Sequence, residues 1–272
     1  MDDGGFDRPA TPARSAAHFR TLFLSDLHLG ALGCKAGGLL DFLNAHDAET
    51  IYLVGDIIDT WRPLGANWPE AHHQVLRLLT RRAQAGRRVV YIPGNHDAFF
   101  RHHTGTTMLG FDILPHDTHR TADGVRLLVT HGDCCDIFSD RLSMLSKAGS
   151  WLEAGIRRLG HGINVVRERL GRDGWDGLES ALARFNRLIR SGDRFQDRLT
   201  DMARARGFDG IVCGHFHKPA LHRNHDMLYV NCGDWIEHCS AVTESFDGTL
   251  RLIRWTPRPR PESQTAQAEA VA

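Results

Sequence analysis

Five short segments with metal-ligating side chains occur in a fixed order along the chain. They are Ser25–His28 (S-D-L-H), Gly55–Asp59 (G-D-I-I-D), Gly94–Asp97 (G-N-H-D), His131–Asp133 (H-G-D) and Gly214–His217 (G-H-F-H). Carboxylate, amide and imidazole groups are ligands that divalent transition metals accept. Two such ions about 3.5–4 Å apart lower the pKa of a shared water and clamp a phosphate. The segments therefore predict a two-metal centre that hydrolyses a phosphoester or a pyrophosphate.

Each of these segments follows a short apolar run, which is typical of a buried strand. The runs are Leu22–Leu24, Ile51–Val54, Val89–Ile92, Leu127–Val129 and Gly210–Cys213. Helices are predicted over residues 37–45 and 68–85, the second closed by Gly86. Strands that alternate with helices, as they do from residue 20 to about 113, are typical of βαβ units and a largely parallel sheet.

The C-terminal part of the chain has shorter strands with turn residues between them. Strands are predicted over residues 125–130, 220–222, 227–231, 241–245 and 249–253. Asp247-Gly248 lies between the last two and indicates a hairpin turn. We therefore expect an α/β fold in which two packed sheets are flanked by helices.

Residues 137–206 differ from the rest because they have the pattern of helices almost throughout. Apolar residues recur at alternating intervals of four and three from Phe138 to Leu159 and again from Leu178 to Ile189. The segment has 14 Lys or Arg against 9 Asp or Glu, in a chain with 33 of each. Two interpretations stay open: a helical hairpin packed on the sheet core, or a lid that offers apolar surface to a lipid tail and cations to phosphates or an anionic membrane surface.

Bulk properties restrict the function classes. The balanced charge gives no reason to expect a nucleic-acid partner, and no apolar run approaches the roughly 20 residues of a membrane-spanning helix. Residues 1–19 have no apolar core of a signal peptide, and they and residues 256–272 are expected to be disordered. The six cysteines are expected to be free thiols in a reducing cytosol, so we expect a cytoplasmic protein that binds, at most, peripherally to the inner membrane.

The five segments together match the pattern D-x-H, G-D-x-x-D, G-N-H-D/E, H and G-H-x-H, and the chain resembles the calcineurin-like metallophosphoesterases from about Arg20 to Trp255. The resemblance implies a two-sheet αββα sandwich over residues 20–255.

The same resemblance assigns roles to the site residues. It assigns Asp26, His28, Asp56 and His217 to one metal ion, and Asp56, Asn95, His131 and His215 to the other. It makes His96 the histidine that stabilises phosphoryl oxygens or protonates the leaving group, and Asp97 the acceptor of its ring N–H. Asp59 is expected beside the centre without being a ligand. The cofactor implied is a pair of divalent ions, Mn²⁺ foremost, although Fe²⁺, Co²⁺, Ni²⁺ and Zn²⁺ suit the same ligands.

A narrower resemblance is to the UDP-2,3-diacylglucosamine pyrophosphatases of lipid A synthesis, and within them to a paralogous branch. It rests on the stretches 33–36, 55–62, 131–133 and 231–237 (GCKA, GDIIDTWR, HGD and NCGDWIE). That family has a helical cap before its G-H-x-H segment, where residues 137–206 lie here. The better-established branch has G-N-R-D, whereas this chain has His96 and so keeps the general phosphoesterase pattern.

This resemblance implies hydrolysis of a nucleotide-linked lipid to UMP and a lipid 1-phosphate. Five basic residues are candidates to contact the diphosphate or uridine: Arg62, Lys147, Arg157, Arg184 and Arg187. Trp61 is a candidate either for an acyl channel or for core packing. Cys134 and Cys135 are expected to be neighbours of the site and not ligands. The alternatives are a phosphodiesterase or phosphatase on another nucleotide or phosphoester, and a scaffold without turnover, which the complete ligand set argues against.

Overall fold

Twelve strands and three α-helices make up the part of the chain that the computed structural model describes, residues 16–61, 68–135 and 192–256. The strands are β1 Ala17–Leu24, β2 His46–Val54, β3 Arg88–Ile92, β4 Thr107–Met108, β5 Phe111–Ile113, β6 Asp117–Arg120, β7 Arg126–Val129, β8 Gly210–Cys213, β9 Ala220–Asn224, β10 Met227–Asn231, β11 Ser240–Glu244 and β12 Leu250–Arg254. The helices are α1 Ala36–Ala45, α2 Glu70–Gln84 and α3 Gly192–Ala205, and short 3₁₀ helices span Ala98–His103 and Asp133–Cys135.

The strands form two mixed sheets. The first has seven described strands in the order β12-β11-β1-β2-β3-β5-β4, and the second has five in the order β6-β7-β8-β10-β9. β1, β2, β3 and β5 are parallel, and so are β7, β8 and β10. The carboxyl ends of β1, β2 and β3 therefore lie along one edge of the first sheet, and those of β7 and β8 along one edge of the second.

Alternation along the strands divides the core into layers. In β1, Leu22 and Leu24 pack among residues of α1 and α2, whereas Phe23 packs between the two sheets with Val129 and Val212 of the second sheet. The far face of the second sheet packs on α3. Successive side chains of a strand point to opposite faces of the sheet, so a strand that is buried on both faces contributes to two layers of the core. The order is thus helices, sheet, sheet, helix, and the predicted αββα sandwich is confirmed.

Most predicted elements are confirmed, and the differences lie at their ends. β1 begins at Ala17, three residues before the expected start of the domain, because it pairs with β2 from its first residue, Ala17 with His46. α2 ends near the predicted position, and Gly86 after it has a φ of +90°. That conformation favours glycine at a helix end. The hairpin between β11 and β12 has Gly248 at a φ of +88°.

The predicted insertion 137–206 is described only in its last part. α3 buries Phe195, Leu199 and Ala203 against the second sheet, so this stretch packs on the core. The rest of the insertion lies outside the described residues, as do most of the two termini. Among the described helices, none is long and apolar enough to cross a membrane.

Candidate metal centre

The five ligand segments lie close together, where the carboxyl ends of strands from the two sheets meet. Hydrogen bonds between backbones hold neighbouring segments in place: Asp26 N–H donates to the carbonyl of Gly55 at 3.0 Å, and Gly214 N–H to that of His131 at 3.0 Å. Other hydrogen bonds join the two sheets at the site, and in one of them His215 N–H donates to Asp26 Oδ2 at 3.0 Å. The sequence therefore brings together, in space, side chains that are almost 200 positions apart.

The first cluster of ligand atoms comes from Asp26, His28 and His217. The Nε2 atoms of the two histidines are 3.2 Å apart. Asp26 Oδ1 is 3.1 Å from Nε2 of His217 and 3.8 Å from Nε2 of His28. This oxygen is buried and has no hydrogen-bond partner. A buried carboxylate oxygen without a partner is costly unless a cation compensates it, so the arrangement fits a metal ion.

The second cluster forms around His131. Its Nδ1 lies 3.1 Å from the carbonyl of Val54, so that nitrogen must carry the proton and donate it. Nε2 is then the nitrogen that remains for a metal ion, 3.3 Å from Asp56 Oδ2 and 3.2 Å from Asn95 Oδ1. A backbone acceptor that fixes the tautomer in this way is typical of metal-binding histidines. His215 completes a set with Asp56 and His131 whose ligand atoms all lie within 4.8 Å.

Asp56 is common to both clusters. Its Oδ2 is 3.3 Å from Nε2 of His131 and 3.9 Å from Nε2 of His28. Its other oxygen, Oδ1, accepts the N–H of His96 at 2.7 Å, which fixes the orientation of the carboxylate. A single carboxylate between two groups of imidazoles is the ligand that a bridged metal pair requires. The structure thus brings all seven predicted ligands to one place.

The charges in the centre favour ionised carboxylates. Burial raises the pKa of Asp26, but His217 and His28 more than offset it and hold that pKa well below its ordinary value. Burial likewise opposes ionisation of Asp56, and His131 is the largest of the groups that lower its pKa below the ordinary value. Both groups are therefore ionised at neutral pH, which is the form that binds a divalent cation.

Backbone strain marks the same loops. Five of the predicted ligands have a positive φ between 48° and 69°: Asp26, His28, Asp56, His215 and His217. Non-glycine residues adopt this region rarely, and such residues cluster at functional sites. The glycines of the segments serve close packing, since a Cβ on Gly94 would lie 2.2 Å from Asp56 Oδ1, and one on Gly214 would lie 2.3 Å from Asp26 Oδ2.

His96 lies against the centre, but its predicted partner is wrong. Nδ1 of His96 is 3.2 Å from Asp59 Oδ1, so Asp59 accepts the ring N–H that we assigned to Asp97. The opposite edge of the ring is left for the centre, where His96, His28 and Asp56 have ligand atoms within 4.8 Å of one another. Trp61 stacks on the His96 ring, with centroids 3.6 Å apart and planes at 18°. Asp59 and Trp61 therefore fix this imidazole.

Asp97 has a different role from the one predicted because its side chain points into the protein. Its carboxylate is fully buried and accepts the N–H of Gly94 at 2.6 Å, the N–H of Ile57 at 2.8 Å and the hydroxyl of Tyr91 at 2.5 Å. Burial and the charge of Asp56 raise the pKa of Asp97. Asp97 thus ties the loop after β2, which carries Asp56, to the loop after β3, which carries the amide ligand.

Sequence reasoning missed the contribution of Trp61 to this site. We considered it for an acyl channel or for core packing, whereas it stacks on His96 and donates its indole N–H to the carbonyl of Asn95 at 3.0 Å. Its position two residues after Asp59 was the signal that could have placed it near the centre. The five predicted substrate-contacting basic residues lie outside the described residues: Arg62, Lys147, Arg157, Arg184 and Arg187.

Comparisons with known families and sequences identify the family of the chain. A family model for calcineurin-like phosphoesterases matches residues 19–219. A UDP-2,3-diacylglucosamine hydrolase from Xanthomonas campestris pv. campestris (strain ATCC 33913) is 29% identical over 247 residues, which cover 84% of this chain and 96% of that protein. A protein of the same name from Shewanella pealeana is 27% identical over 238 residues, covering 84% and 95%.

Solved structures show more distant likenesses. A phosphoesterase from E. coli superposes with a TM-score of 0.41 at 14% identity, covering 87% of this chain and 99% of that one. A novel archaeal phosphodiesterase has a TM-score of 0.38 at 13% identity, covering 86% and 98%. At this level of likeness, neither structure bears on what this chain does.

Proposed function

The chain belongs to the calcineurin-like phosphoesterase family and is a phosphoester hydrolase, and we propose that it cleaves the pyrophosphate bond of UDP-2,3-diacylglucosamine or a similar nucleotide-linked lipid. The products would be UMP and a lipid 1-phosphate. The observation that carries the hydrolytic part is the position of Asp56 between the two imidazole clusters. The lipid part rests on the two bacterial relatives, which align over nearly their whole length.

The ligands suit two divalent ions, and we propose Mn²⁺ as the native one. Asp26, His28 and His217 would hold one ion, and Asn95, His131 and His215 the other, with Asp56 shared. Ions bound there would lower the pKa of a water and neutralise charge on the phosphoryl oxygens. A mixed set of oxygen and imidazole ligands suits first-row transition metals better than Ca²⁺.

His96 acts on the substrate in this proposal. Because its Nδ1–H is bound to Asp59, its Nε2 is the nitrogen that can donate a proton or a hydrogen bond to a phosphoryl oxygen. The stacked Trp61 restricts rotation of the ring and excludes water from one of its faces. Attack by water on the α-phosphorus breaks its bond to the bridging oxygen, and that oxygen leaves with the lipid 1-phosphate. In this proposal, His96 stabilises the charge that develops in this step.

The insertion supplies selectivity for the lipid in this proposal. The end of it, α3, packs on the second sheet. The remainder, residues 137–191, has the amphipathic sequence pattern and four of the five candidate basic residues, Lys147, Arg157, Arg184 and Arg187. We propose that it covers the acyl chains and holds the protein at an anionic membrane surface. Replacing residues 141–188 by a short Gly-Ser linker retains α3 and should reduce turnover of the lipid far more than turnover of a small aryl phosphodiester; equal losses would favour a packing role.

The experiment that tests the function is hydrolysis of UDP-2,3-diacylglucosamine in Mn²⁺ buffer made with ¹⁸O water. We expect UMP that carries the ¹⁸O and a lipid 1-phosphate that does not, and no turnover by Asp56→Asn. Label in the lipid 1-phosphate would move the attack to the β-phosphorus. Activity on generic phosphodiesters with none on the lipid would keep the hydrolytic centre and replace the substrate by another nucleotide or phosphoester, which the general G-N-H-D pattern at His96 also fits.

A further inference from the structure

Three sulfur atoms lie close together beyond the fourth ligand segment, outside the dinuclear centre. Cys134 and Cys135 are in the 3₁₀ helix Asp133–Cys135, and Met202 is on α3. The Sγ atoms of Cys134 and Cys135 are 3.9 Å apart, and Sγ of Cys135 is 3.8 Å from Sδ of Met202. We propose that these three residues bind one soft, thiophilic metal ion, of which Cu⁺ is the type.

The spacing of the sulfurs agrees with shared coordination. A bond from a metal ion to a thiolate is about 2.3 Å long, so two sulfurs on one ion lie about 3.8 Å apart in a tetrahedral arrangement and about 4.0 Å apart in a trigonal one. The two distances from Sγ of Cys135, 3.9 Å to Cys134 and 3.8 Å to Met202, fall on these values. Cys135 could therefore share one ion with either neighbour at its present spacing, and the three-sulfur site requires Cys134 and Met202 to reach the same ion.

The chemistry of the donors selects the class of ion. Thiolates and thioethers are soft ligands that favour Cu⁺ and related ions over Mn²⁺ or Mg²⁺. The dinuclear centre offers carboxylate, amide and imidazole groups, and so has the opposite preference. The two sites would be occupied by different metals even though His131 is only three residues before Cys134.

Cys134 is suited to bind a metal ion from solution because it is exposed and readily ionised. The hydrogen bond between the two thiols is the largest cause that lowers the pKa of Cys134, to about 7, while burial opposes it; the same bond raises the pKa of Cys135, so an ion that binds both has to displace the shared proton. Cys34 provides a contrast within the chain, since burial raises its pKa to about 12. Thiolate is the form that binds metals, and Cys134 therefore differs from a cysteine that only fills space in a core.

The test uses the full chain loaded with Mn²⁺ and kept anaerobic, so that the thiols stay reduced. Cu⁺ is delivered from a colorimetric chelator, and its transfer to protein gives stoichiometry and affinity. We expect one Cu⁺ per chain, X-ray absorption with sulfur as the sole nearest neighbour, and loss of this binding in Cys134→Ser and in Cys135→Ser. Met202→Leu keeps the volume and should weaken the affinity by at least about tenfold, the scale on which changes around metal sites act.

The control is Cys34→Ser, which should bind Cu⁺ as the unchanged protein does. Equal binding by the Cys134 and Cys135 variants, or nitrogen and oxygen neighbours in the absorption spectrum, would overturn the proposal. An unchanged affinity in Met202→Leu would overturn the three-sulfur site. Far-UV circular dichroism on each variant separates loss of a ligand from loss of the fold.

Discussion

Asp97 and Asp59 provide a sharp test of how the site is held together, because they exchange the roles expected from sequence. In Asp97→Ala, three buried donors lose their acceptor: the N–H groups of Gly94 and Ile57 and the hydroxyl of Tyr91. In Asp59→Ala, the ring N–H of His96 loses its acceptor instead. We expect the first variant to lose stability and metal, and the second to lose rate.

The magnitude follows from the hydrogen bonds. Each buried donor left without a partner costs about 1–3 kcal/mol, which gives roughly 3–9 kcal/mol for the three at Asp97. Burial and the neighbouring charge of Asp56 already oppose ionisation of Asp97, so removing the carboxylate also relieves a repulsion. The net loss of unfolding free energy should therefore lie near the lower end, about 3 kcal/mol. Asp59 also accepts the N–H of Trp61, and its removal should cost about 1–2 kcal/mol.

The assays are urea unfolding at pH 7, Mn²⁺ content after gel filtration, and kcat on an aryl phosphodiester. Asp97→Ala should show the larger shift in the urea midpoint and a reduced metal content, because the loops that carry Asp56 and Asn95 are no longer tied together. Asp59→Ala should retain its metal and lose about 10–100-fold in kcat, as changes next to a metal-site histidine do. If Asp97→Ala does not fold, Asp97→Asn keeps one acceptor oxygen and should show the same effects at reduced size.

Asp97 does not tie the two loops together if Asp97→Ala is as stable as the unchanged protein, holds two metal ions and loses only rate. That result would mean that Asp97 acts through His96, as the sequence pattern suggested. Full activity in Asp59→Ala would likewise show that the 3.2 Å contact does not position the imidazole.

Three further predictions address other parts of the structure. The buried Glu244 carboxylate binds His119 at 2.8 Å and has a pKa lowered from 4.5 to about 2, with burial opposing and the His119 bond lowering it. The ionised carboxylate therefore contributes about 3 kcal/mol to the free energy of unfolding above pH 4.5, and this contribution is lost as the pH falls towards 2. In urea unfolding, the difference in stability between the unchanged protein and Glu244→Gln should shrink over that pH range. A difference that does not depend on pH would contradict this role of Glu244. Gly94→Ala should displace Asp56 and reduce Mn²⁺ content, since its Cβ would lie 2.2 Å from Oδ1; normal metal content with normal rate would be the contrary result. His96→Ala should retain metal and lose about 10²–10⁴-fold in kcat, and a near-normal rate would remove it from the catalytic step.

The strands and the ligands could be predicted from sequence because each leaves a local signature. An apolar run followed by a ligand segment shows where a strand ends, and parallel strands bring such ends together. The five runs before Asp26, Asp56, Asn95, His131 and His215 are all strands in the structure. Because the carboxyl ends of these strands lie along one edge of each sheet, the ligands that follow them lie close together.

The partner of His96 could not be predicted because it depends on which way a loop side chain turns. Asp97 is adjacent in sequence, but three donors below the loop draw its carboxylate inwards. Asp59, 37 positions away, has its Oδ1 at 3.2 Å from the ring. Tertiary contacts determine which partner a loop side chain binds, and the spacing of residues in the sequence does not predict that partner.

The magnetic coupling of bound Mn²⁺ shows directly whether Asp56 bridges two metal ions. Two Mn²⁺ ions that share the Asp56 carboxylate should give the electron paramagnetic resonance spectrum of an exchange-coupled pair, with two ions per chain by elemental analysis. Asp56→Asn should abolish the coupled signal. A spectrum of isolated Mn²⁺ at full loading, or a coupled pair that survives this substitution, would contradict a dinuclear centre bridged by Asp56.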